Sequence, residues 1–379
     1  MFHTPSVPVQ SVTAVPLVSV VIPSYNYGSL LPEAVSSALA QRSDALGVEV
    51  IVVDDGSTDN TPEVARSLEP DIVYIRQKNQ GLAAARNTGL RAARGDYAAF
   101  LDADDLYAED LLAGQLKIFA EHPDLDMVIC RCVEKQEGAG SGALHMWPLV
   151  SSHWDVHSCH ANLAPVHCHL ARMELVRRVG FFDTALKSCE DHDFWLRCYG
   201  VGARVGVNPL GLVVYRKHGE NMTHNAERMF FHDALMHIKV HGMLTDLPAY
   251  PSDKLGGWLA HAAACLFSAG AMSFNKGMSD KMQDLFAQAV RRAASLVKEK
   301  RGETDARLLR IRSYYVSKCL FLAQPLEENL APEAARAIMI LRHLFPETGQ
   351  LSPQAMEARA AKNYARLCLS NPLVRRQAE

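Results

Sequence analysis

An open α/β sheet, mostly parallel and doubly wound with helices on both faces, is the fold the sequence predicts, followed by an α-helical region. Three observations carry this. Through the first hundred residues, nearly continuous β-branched runs alternate with segments of helical spacing, which is the pattern of successive βα units. Several of the apolar runs stop in polar clusters that a core cannot use: Ser24-Tyr25-Asn26, Asp54-Asp55-Gly56-Ser57 and Asp102-Ala103-Asp104-Asp105. Beyond about residue 225 the composition shifts to Ala, Leu, Met and Arg at helical spacing.

The elements follow in order. "LVSVVIP" (17 to 23) reads as a strand covered on both faces. "SLLPEAVSSALAQ" (29 to 41) is a helix, with Ser29 as its cap and Pro32 in the first turn. "VEVIVVDDGSTDNT" (48 to 61) is a strand running into a turn, and "TPEVARSL" opens a helix on Thr61 and Pro62. "DIVYIRQ" (71 to 77) and "DYAAFLDADD" (96 to 105) are strands around the helix "GLAAARNTGLRAAR", and "DMVICRC" (126 to 132) is a further strand. "SCEDHDFWLR" (188 to 197) reads as a helix start capped by Ser188, with an acidic first turn suited to the helix dipole. "GLVVYRK" is strand-like.

Composition bounds the function. The 379 residues are 48% hydrophobic and 21% charged, enough for a large globular domain and a smaller one. A net charge of −3 lacks the basic footprint of a nucleic-acid binder, so no nucleic-acid partner is expected. The nine cysteines are odd in number and follow no framework spacing, which fits a reducing compartment. Residues 1 to 16 read as a disordered leader without the basic and apolar regions of a signal peptide. The most apolar later stretch, 258 to 274, carries His261, is too short for a membrane span, and reads as a buried helix. A cytoplasmic location is the expectation.

In open α/β sheets ligands sit beyond the carboxyl ends of the strands, so the three polar clusters should converge on one cleft. Singly, each is ordinary: Asp-Gly-Ser-Thr-Asp is turn chemistry, and the aspartates after residue 101 suit a helix cap. Together, at a spacing of roughly fifty residues in successive βα units, they focus like charges at one sheet edge. A hard divalent cation with oxygen ligands would relieve that repulsion.

Five segments, "VSVVIPSYNYGSLLPEAVSSALAQ", "VIVVDDGSTDNT", "NQGLAAARNTGLRAARGDYAAFLDADD", "VGFFDTALKSCEDHDFWLRC" and "VYRKHGENMT", lie in order between residues 17 and 223. In these the sequence resembles the family 2 glycosyltransferases. The resemblance implies a GT-A type mixed sheet over 17 to 224, with a nucleotide-sugar donor half (17 to 125) and an acceptor half (126 to 224), and helices over 225 to 379. It implies a nucleotide-sugar donor, usually a uridine diphosphate sugar. Pro23 and Tyr25 would line the base and ribose pocket, and Asp55 would accept from the base. Asp102 would contact the ribose or the metal's water shell, and Asp104 would bind Mn²⁺ or Mg²⁺, with His218 at the metal or diphosphate. Arg86 and Asn87 match the family's "ARN" and would order the donor loop. Asp191 would be the general base, and Glu190 would position the acceptor or the base. The acceptor would be a saccharide or a lipid-linked molecule, as in cell-envelope polysaccharide biosynthesis.

The residue types suit such a transfer. Breaking a sugar–phosphate bond places charge on the departing diphosphate, which a fixed cation stabilises, and an acceptor hydroxyl that attacks must lose its proton to a nearby base. Arg216 and Lys217 are further cations able to face phosphate. The Gln-x-x-Arg-Trp motif of processive members has no match, since "QAVRR" (288 to 292) places Arg292 where tryptophan would stand. Transfer of one or a few sugars is therefore expected.

His153, His157, Cys159, His160, His167, Cys168 and His169 crowd seventeen positions and invite a zinc reading, because both ligand types are present. No paired finger spacing is completed across them, so the stretch is assigned to the acceptor side of the cleft. The C-terminal helices, such as 281 to 301 and 332 to 345, are expected to pack on one another; a peripheral contact at the inner face of the membrane and a homo-oligomer interface are the sharper alternatives. Two other functions remain. A haloacid-dehalogenase-like phosphatase would want Thr or Val where Leu106 stands, and a non-catalytic nucleotide- or carbohydrate-binding protein would not need the intact acidic set.

Overall fold

The structure, a computed structural model, describes residues 15–136, 144–146, 162, 164–219, 222 and 225–245, with scattered helical positions between 280 and 339. The strands are β1 (Leu17–Ser24), β2 (Gly47–Asp54), β3 (Ile72–Arg76), β4 (Tyr97–Phe100), β5 (Leu106–Tyr107), β6 (Met127–Gln136), β7 (Leu144–Met146), β8 (His169–Arg172) and β9 (Val205–Lys217). The helices are α1 (Leu31–Leu39), α2 (Thr61–Ser67), α3 (Leu82–Ala92), α4 (Leu111–Glu121), α5 (Met173–Val179), α6 (Glu190–Gly200) and α7 (Ala226–Thr245), with a 3₁₀ turn at Val166–Cys168.

These strands form one mixed sheet in the order β3-β2-β1-β4-β8-β6-β9-β5, with β7 paired to β6. Its first four strands are parallel, as successive βα units require. The sheet then reverses: β8 runs antiparallel to both β4 and β6, while β9 lies parallel to β6 and antiparallel to β5. The expected donor and acceptor halves therefore share one continuous sheet.

The packing explains the sequence pattern. All of β1 from Val18 to Ser24 is buried, because helices cover both faces. In α1, Leu31, Ala34, Val35 and Ala38 form the inward stripe, and burying each larger aliphatic side chain contributes roughly 1.5–3 kcal/mol. Gly89 lets α3 lie directly on β1: a Cβ there would sit 2.3 Å from Val21 Cγ1. Two expected caps are not used. The residue preceding α1 is Leu30 rather than Ser29, and the one preceding α6 is Cys189 in the left-handed region at φ 61°, while Ser188 Oγ donates to the Lys187 carbonyl. Before α1 the Leu30 and Leu31 amides donate instead to the Tyr27 carbonyl, and before α6 the left-handed Cys189 sets the entry.

The end of the sheet away from the cleft carries a buried carboxylate. Glu49 accepts from Ser19 Oγ at 2.5 Å, the Arg94 amide at 2.5 Å, the Gly95 amide at 3.1 Å and Arg94 Nε at 3.0 Å. Burial opposes its charge, but these donors outweigh burial and hold the carboxyl below its ordinary value. A depressed folded-state value gives stability that is present above the unfolded-chain value of roughly 4.3 and lost as the pH falls through the folded one. Glu49→Gln should thus lower unfolding free energy by about 1–3 kcal/mol at pH 7. The gap to the wild type should narrow in acid, and urea unfolding at neutral and acidic pH checks both; a pH-independent gap would remove the charge from the explanation.

Helix α7 opens the C-terminal region and docks on α6. Lys239 Nζ reaches Asp183 Oδ2 at 2.6 Å and Asp193 Oδ1 at 2.8 Å, beside an apolar contact of Met236 and Val240 with Leu186 and Leu196. No helix among the described residues is long and apolar enough to cross a membrane. The stretches 1 to 14 and 258 to 274 lie outside the described residues, as does most of 281 to 301 and 332 to 345.

Candidate active site

The carboxyl ends of β1, β2 and β4 meet at one edge of the sheet. Ser24 pairs with Asp54 in register, the Asp55 amide donates to the Ser24 carbonyl, and the Leu101 amide donates to the Val21 carbonyl. Pro23 is buried in β1, and Tyr25, just past its end, is 46% exposed, so its ring is free to stack on a planar ligand. Asn26 then turns into the left-handed region at φ 61°. Its side-chain oxygen accepts from the Thr58 amide at 2.8 Å, which ties the β1 end to the Asp-Gly-Ser turn. Gly56 makes that turn at φ 79°, where an added Cβ would meet the Asn79 amide at 2.8 Å.

Asp54 and Asp55 have separate tasks. Asp54 is fully buried and accepts from the Ser57 amide at 2.7 Å and the Tyr74 hydroxyl at 2.9 Å, so it builds the turn. Asp55 accepts from Gln77 Nε2 at 2.7 Å and from the amides of Gln80 at 2.9 Å and Gly81 at 2.7 Å, ordering the segment that leads into α3. A carboxylate has about four acceptor positions, so these three bonds leave room for one more donor.

Arg86, on α3, joins the acidic turn after β4 to the start of α6. Its guanidinium is buried, with Nη2 2.7 Å from Asp102 Oδ1 and Nη1 2.6 Å from Glu190 Oε1. Burial opposes its charge, yet Asp102, Glu190 and Asp191 outweigh burial and keep it protonated. Asp102 is held well below the usual carboxylate range: its partial burial is overridden by Arg86 and His167. Glu190 is pushed up by burial, with Asp191 adding to the rise against the pull of Arg86.

Asn87, expected to help order the donor loop, is buried beside Arg86 on α3. Its side-chain nitrogen donates to the Phe182 carbonyl and its side-chain oxygen accepts from the Phe182 amide, at 2.9 Å each, so it clamps α3 to the segment before α6.

In the acidic turn, Asp104 Oδ2 lies 3.0 Å from His218 Nε2, at the end of β9. Burial and the neighbouring Asp102 charge push the Asp104 carboxyl up. That is the electrostatic deficit a divalent cation would fill, and a carboxylate with an imidazole is a donor set such an ion accepts. The turn is braced by Arg216, whose Nε donates to the Asp104 carbonyl, whose amide donates to Asp105 Oδ1 at 2.8 Å, and whose Nη1 lies 2.5 Å from Glu33 Oε2. Lys217 is paired with Glu134 at 2.6 Å. Both cations thus already face carboxylates.

At the start of α6, Asp191 is half-buried. Its Oδ2 accepts from Asn162 Nδ2 at 2.8 Å and its Oδ1 from the His192 amide at 2.7 Å. The left-handed Cys189 immediately before turns Glu190 inward to Arg86 and leaves the next acid partly open.

In the histidine-rich stretch, the described members His167, Cys168 and His169 are all buried. His169 is buried, stacked on Trp195 with ring centres 3.9 Å apart, and Nδ1 lies 3.1 Å from the Pro165 carbonyl. Burial pulls it down to about 3, so it is neutral and belongs to the core rather than to an acceptor surface. His167 is buried as well, with Nδ1 3.1 Å from Asp105 Oδ2. His153, His157, Cys159 and His160 lie outside the described residues. The Asp105–His167 pair was not recognisable as a unit in the sequence, because 62 positions separate its members.

Comparisons with known proteins bear on the family and the fold. Residues 19–180 match the family described as Glycosyl transferase family 2. An uncharacterized glycosyltransferase of Rickettsia typhi is 30% identical over 227 residues, covering 56% of this chain and 67% of that protein. The uncharacterized glycosyltransferase EpsJ of Bacillus subtilis is 31% identical over 225 residues, covering 55% of this chain and 63% of its own. An uncharacterized glycosyltransferase of Rickettsia prowazekii is 30% identical over 203 residues, and the chain spans 60% of its length. Among solved structures, residues 1–349 of S. aureus TarS in complex with UDP-GlcNAc superpose with a TM-score of 0.59 at 18% identity, over 87% of this chain and 91% of that one. At that identity the likeness is one of fold. By the family match, by relatives at 30% identity and by a shared fold, the chain belongs to glycosyl transferase family 2.

Proposed function

We propose that this chain is an inverting, metal-dependent glycosyltransferase, moving a sugar from a UDP-sugar to a hydroxyl of a saccharide or lipid-linked acceptor. The observation that carries this is the buried Asp102–Arg86–Glu190 chain, which fixes the donor-side acidic turn to the helix start bearing Asp191. Such a link holds a donor group and a base in one geometry, which is the positioning that transfer between two substrates needs.

In this reading Tyr25 and Pro23 receive the base and ribose, and Asp55 holds the loop around them. Asp104 and His218 hold Mn²⁺ or Mg²⁺, which when bound supplies charge stabilisation for the departing diphosphate. Asp191 is the base rather than Glu190, because Arg86 occupies Glu190 in a buried ion pair while Asp191 remains partly open. The acceptor hydroxyl gives its proton to the Asp191 carboxylate as its oxygen bonds to the anomeric carbon. The bond from that carbon to the phosphate oxygen breaks, and the nucleoside diphosphate leaves with the electron pair. Attack from the face opposite the leaving group inverts the anomeric centre.

Thermal protection by UDP tests the reading. At about 100 times its Kd, UDP should stabilise the chain by about 2.7 kcal/mol when Mn²⁺ or Mg²⁺ is present and far less without it. Asp104→Ala should remove the metal dependence while sparing the fold. Metal-independent protection in the wild type, or unchanged dependence in the variant, would overturn the assignment. A panel of nucleotide sugars in the same assay identifies the donor.

A further inference from the structure

A second cluster of ligating side chains lies behind the acidic turn, and the transfer reaction has no use for it. Cys132 on β6, with His167 and Cys168 on the 3₁₀ turn, place one ligand atom each within 4.8 Å of one another, and all three side chains are buried. The Cys130 thiol, two positions back on β6, lies against that of Cys168. The cysteines are free thiols.

Buried cysteines alone are ordinary core residues. What sets this cluster apart is His167. It is 2% exposed, and neither ring nitrogen makes a hydrogen bond of normal geometry. Leaving a buried polar group without a partner costs about 1–3 kcal/mol, so native interiors seldom keep one for no purpose. Nδ1 faces carboxylates, 3.1 Å from Asp105 Oδ2 and 3.9 Å from Asp102 Oδ2. Nε2 is then the nitrogen left to act beside the thiols.

We propose that Cys132, His167 and Cys168, with Cys130 as fourth donor, form a structural zinc site. Thiolates and an imidazole are donors that suit Zn²⁺, with bonds of about 2.3 Å to sulfur and about 2.0–2.1 Å to nitrogen, and the ligand atoms of Cys132, His167 and Cys168 lie close enough to converge on one ion. Asp105 takes the part of the carboxylate that orients a zinc-bound histidine through its other nitrogen. The donor sets also separate by softness: a hard Mn²⁺ or Mg²⁺ prefers the oxygen of Asp104, and zinc prefers the sulfur set. A metal here would pin β6 and the 3₁₀ turn together and, through Asp105, brace the turn that carries Asp102 and Asp104. The inference does not depend on the transferase reading.

The test uses the full chain, purified under reducing conditions. Metal analysis should find about one zinc per chain, and its X-ray absorption should show sulfur and nitrogen neighbours. After zinc is removed, Co²⁺ added in the presence of excess Mg²⁺ should give the near-ultraviolet charge-transfer band of a cobalt thiolate. Cys132→Ala and Cys168→Ala should each lose that band, whereas Cys198→Ala, in a different core cluster, should keep it. If the variants do not fold, the absorption spectrum of the wild type decides alone. Failure of the reduced chain to bind zinc or to show the cobalt band, a zinc held only by oxygen and nitrogen, or a band that survives both substitutions overturns the proposal.

Discussion

Arg86→Met is expected to lower the unfolding free energy by about 3–5 kcal/mol and to abolish sugar transfer with it. The substitution keeps most of the side-chain volume and the packing over Phe182, whose ring centre lies 5.6 Å from the guanidinium carbon. What it removes is the guanidinium bridge between Asp102 and Glu190. Glu190 is 4% exposed, and Asp191 follows it directly, so the variant buries a carboxylate with a like charge beside it. Such a group takes up a proton instead of remaining charged. Its folded-state value then lies above its unfolded one, so the variant binds more protons folded than unfolded, and its deficit should shrink as the pH is lowered. Adding Glu190→Gln to Arg86→Met should recover part of the loss, because the uncompensated charge is gone. Urea unfolding of the single and double variants measures both effects. A deficit below about 1 kcal/mol would mean that water reaches the carboxylates and that the bridge is not the structural link.

The same residue shows what the sequence can and cannot disclose. The βα units were legible, because buried parallel strands are written as uninterrupted β-branched runs and end in polar residues where the sheet stops. The cleft followed from the ends of β1, β2 and β4. The Arg86–Glu190 pair did not, since 104 positions separate its members and no local pattern marks a long-range ion pair. The short β5 was hidden inside "FLDADDLY", where two residues pair with β9 and leave no periodic trace. The reversal at β8 is equally silent: its residues are buried whichever way the strand runs. Ser29 and Ser188 have the right chemistry for caps, but Tyr27 supplies the carbonyl for the amides of Leu30 and Leu31, and Cys189 adopts a conformation that cap preferences do not anticipate. In the histidine-rich stretch, composition singled out His167 and Cys168 among others, but their neighbour Cys132 stands on a strand 35 positions upstream of His167 and no local pattern joins them.

The remaining large effect separates the base from its neighbour. Asp191→Asn is expected to lower kcat by about two to four decades while leaving donor binding and stability nearly intact. The asparagine is nearly isosteric, and its one side-chain oxygen can keep the bond from the His192 amide at the helix start, so the variant gives up the Asn162 bond and the capacity to take a proton while the helix start holds its geometry. Glu190→Gln gives the contrasting pattern. It breaks a charge-assisted bond to a buried guanidinium, so stability and turnover should fall together. Steady-state kinetics, UDP binding and urea unfolding on both variants resolve the two roles. If Asp191→Asn weakened UDP binding as much as turnover, Asp191 would belong to the donor site. If Glu190→Gln lost turnover without stability, the base would be Glu190, and the Arg86 pair would have to open during each cycle to release it. That demand is what makes Asp191 the better assignment: opening a buried ion pair costs several kcal/mol, and Asp191 reaches an acceptor without it.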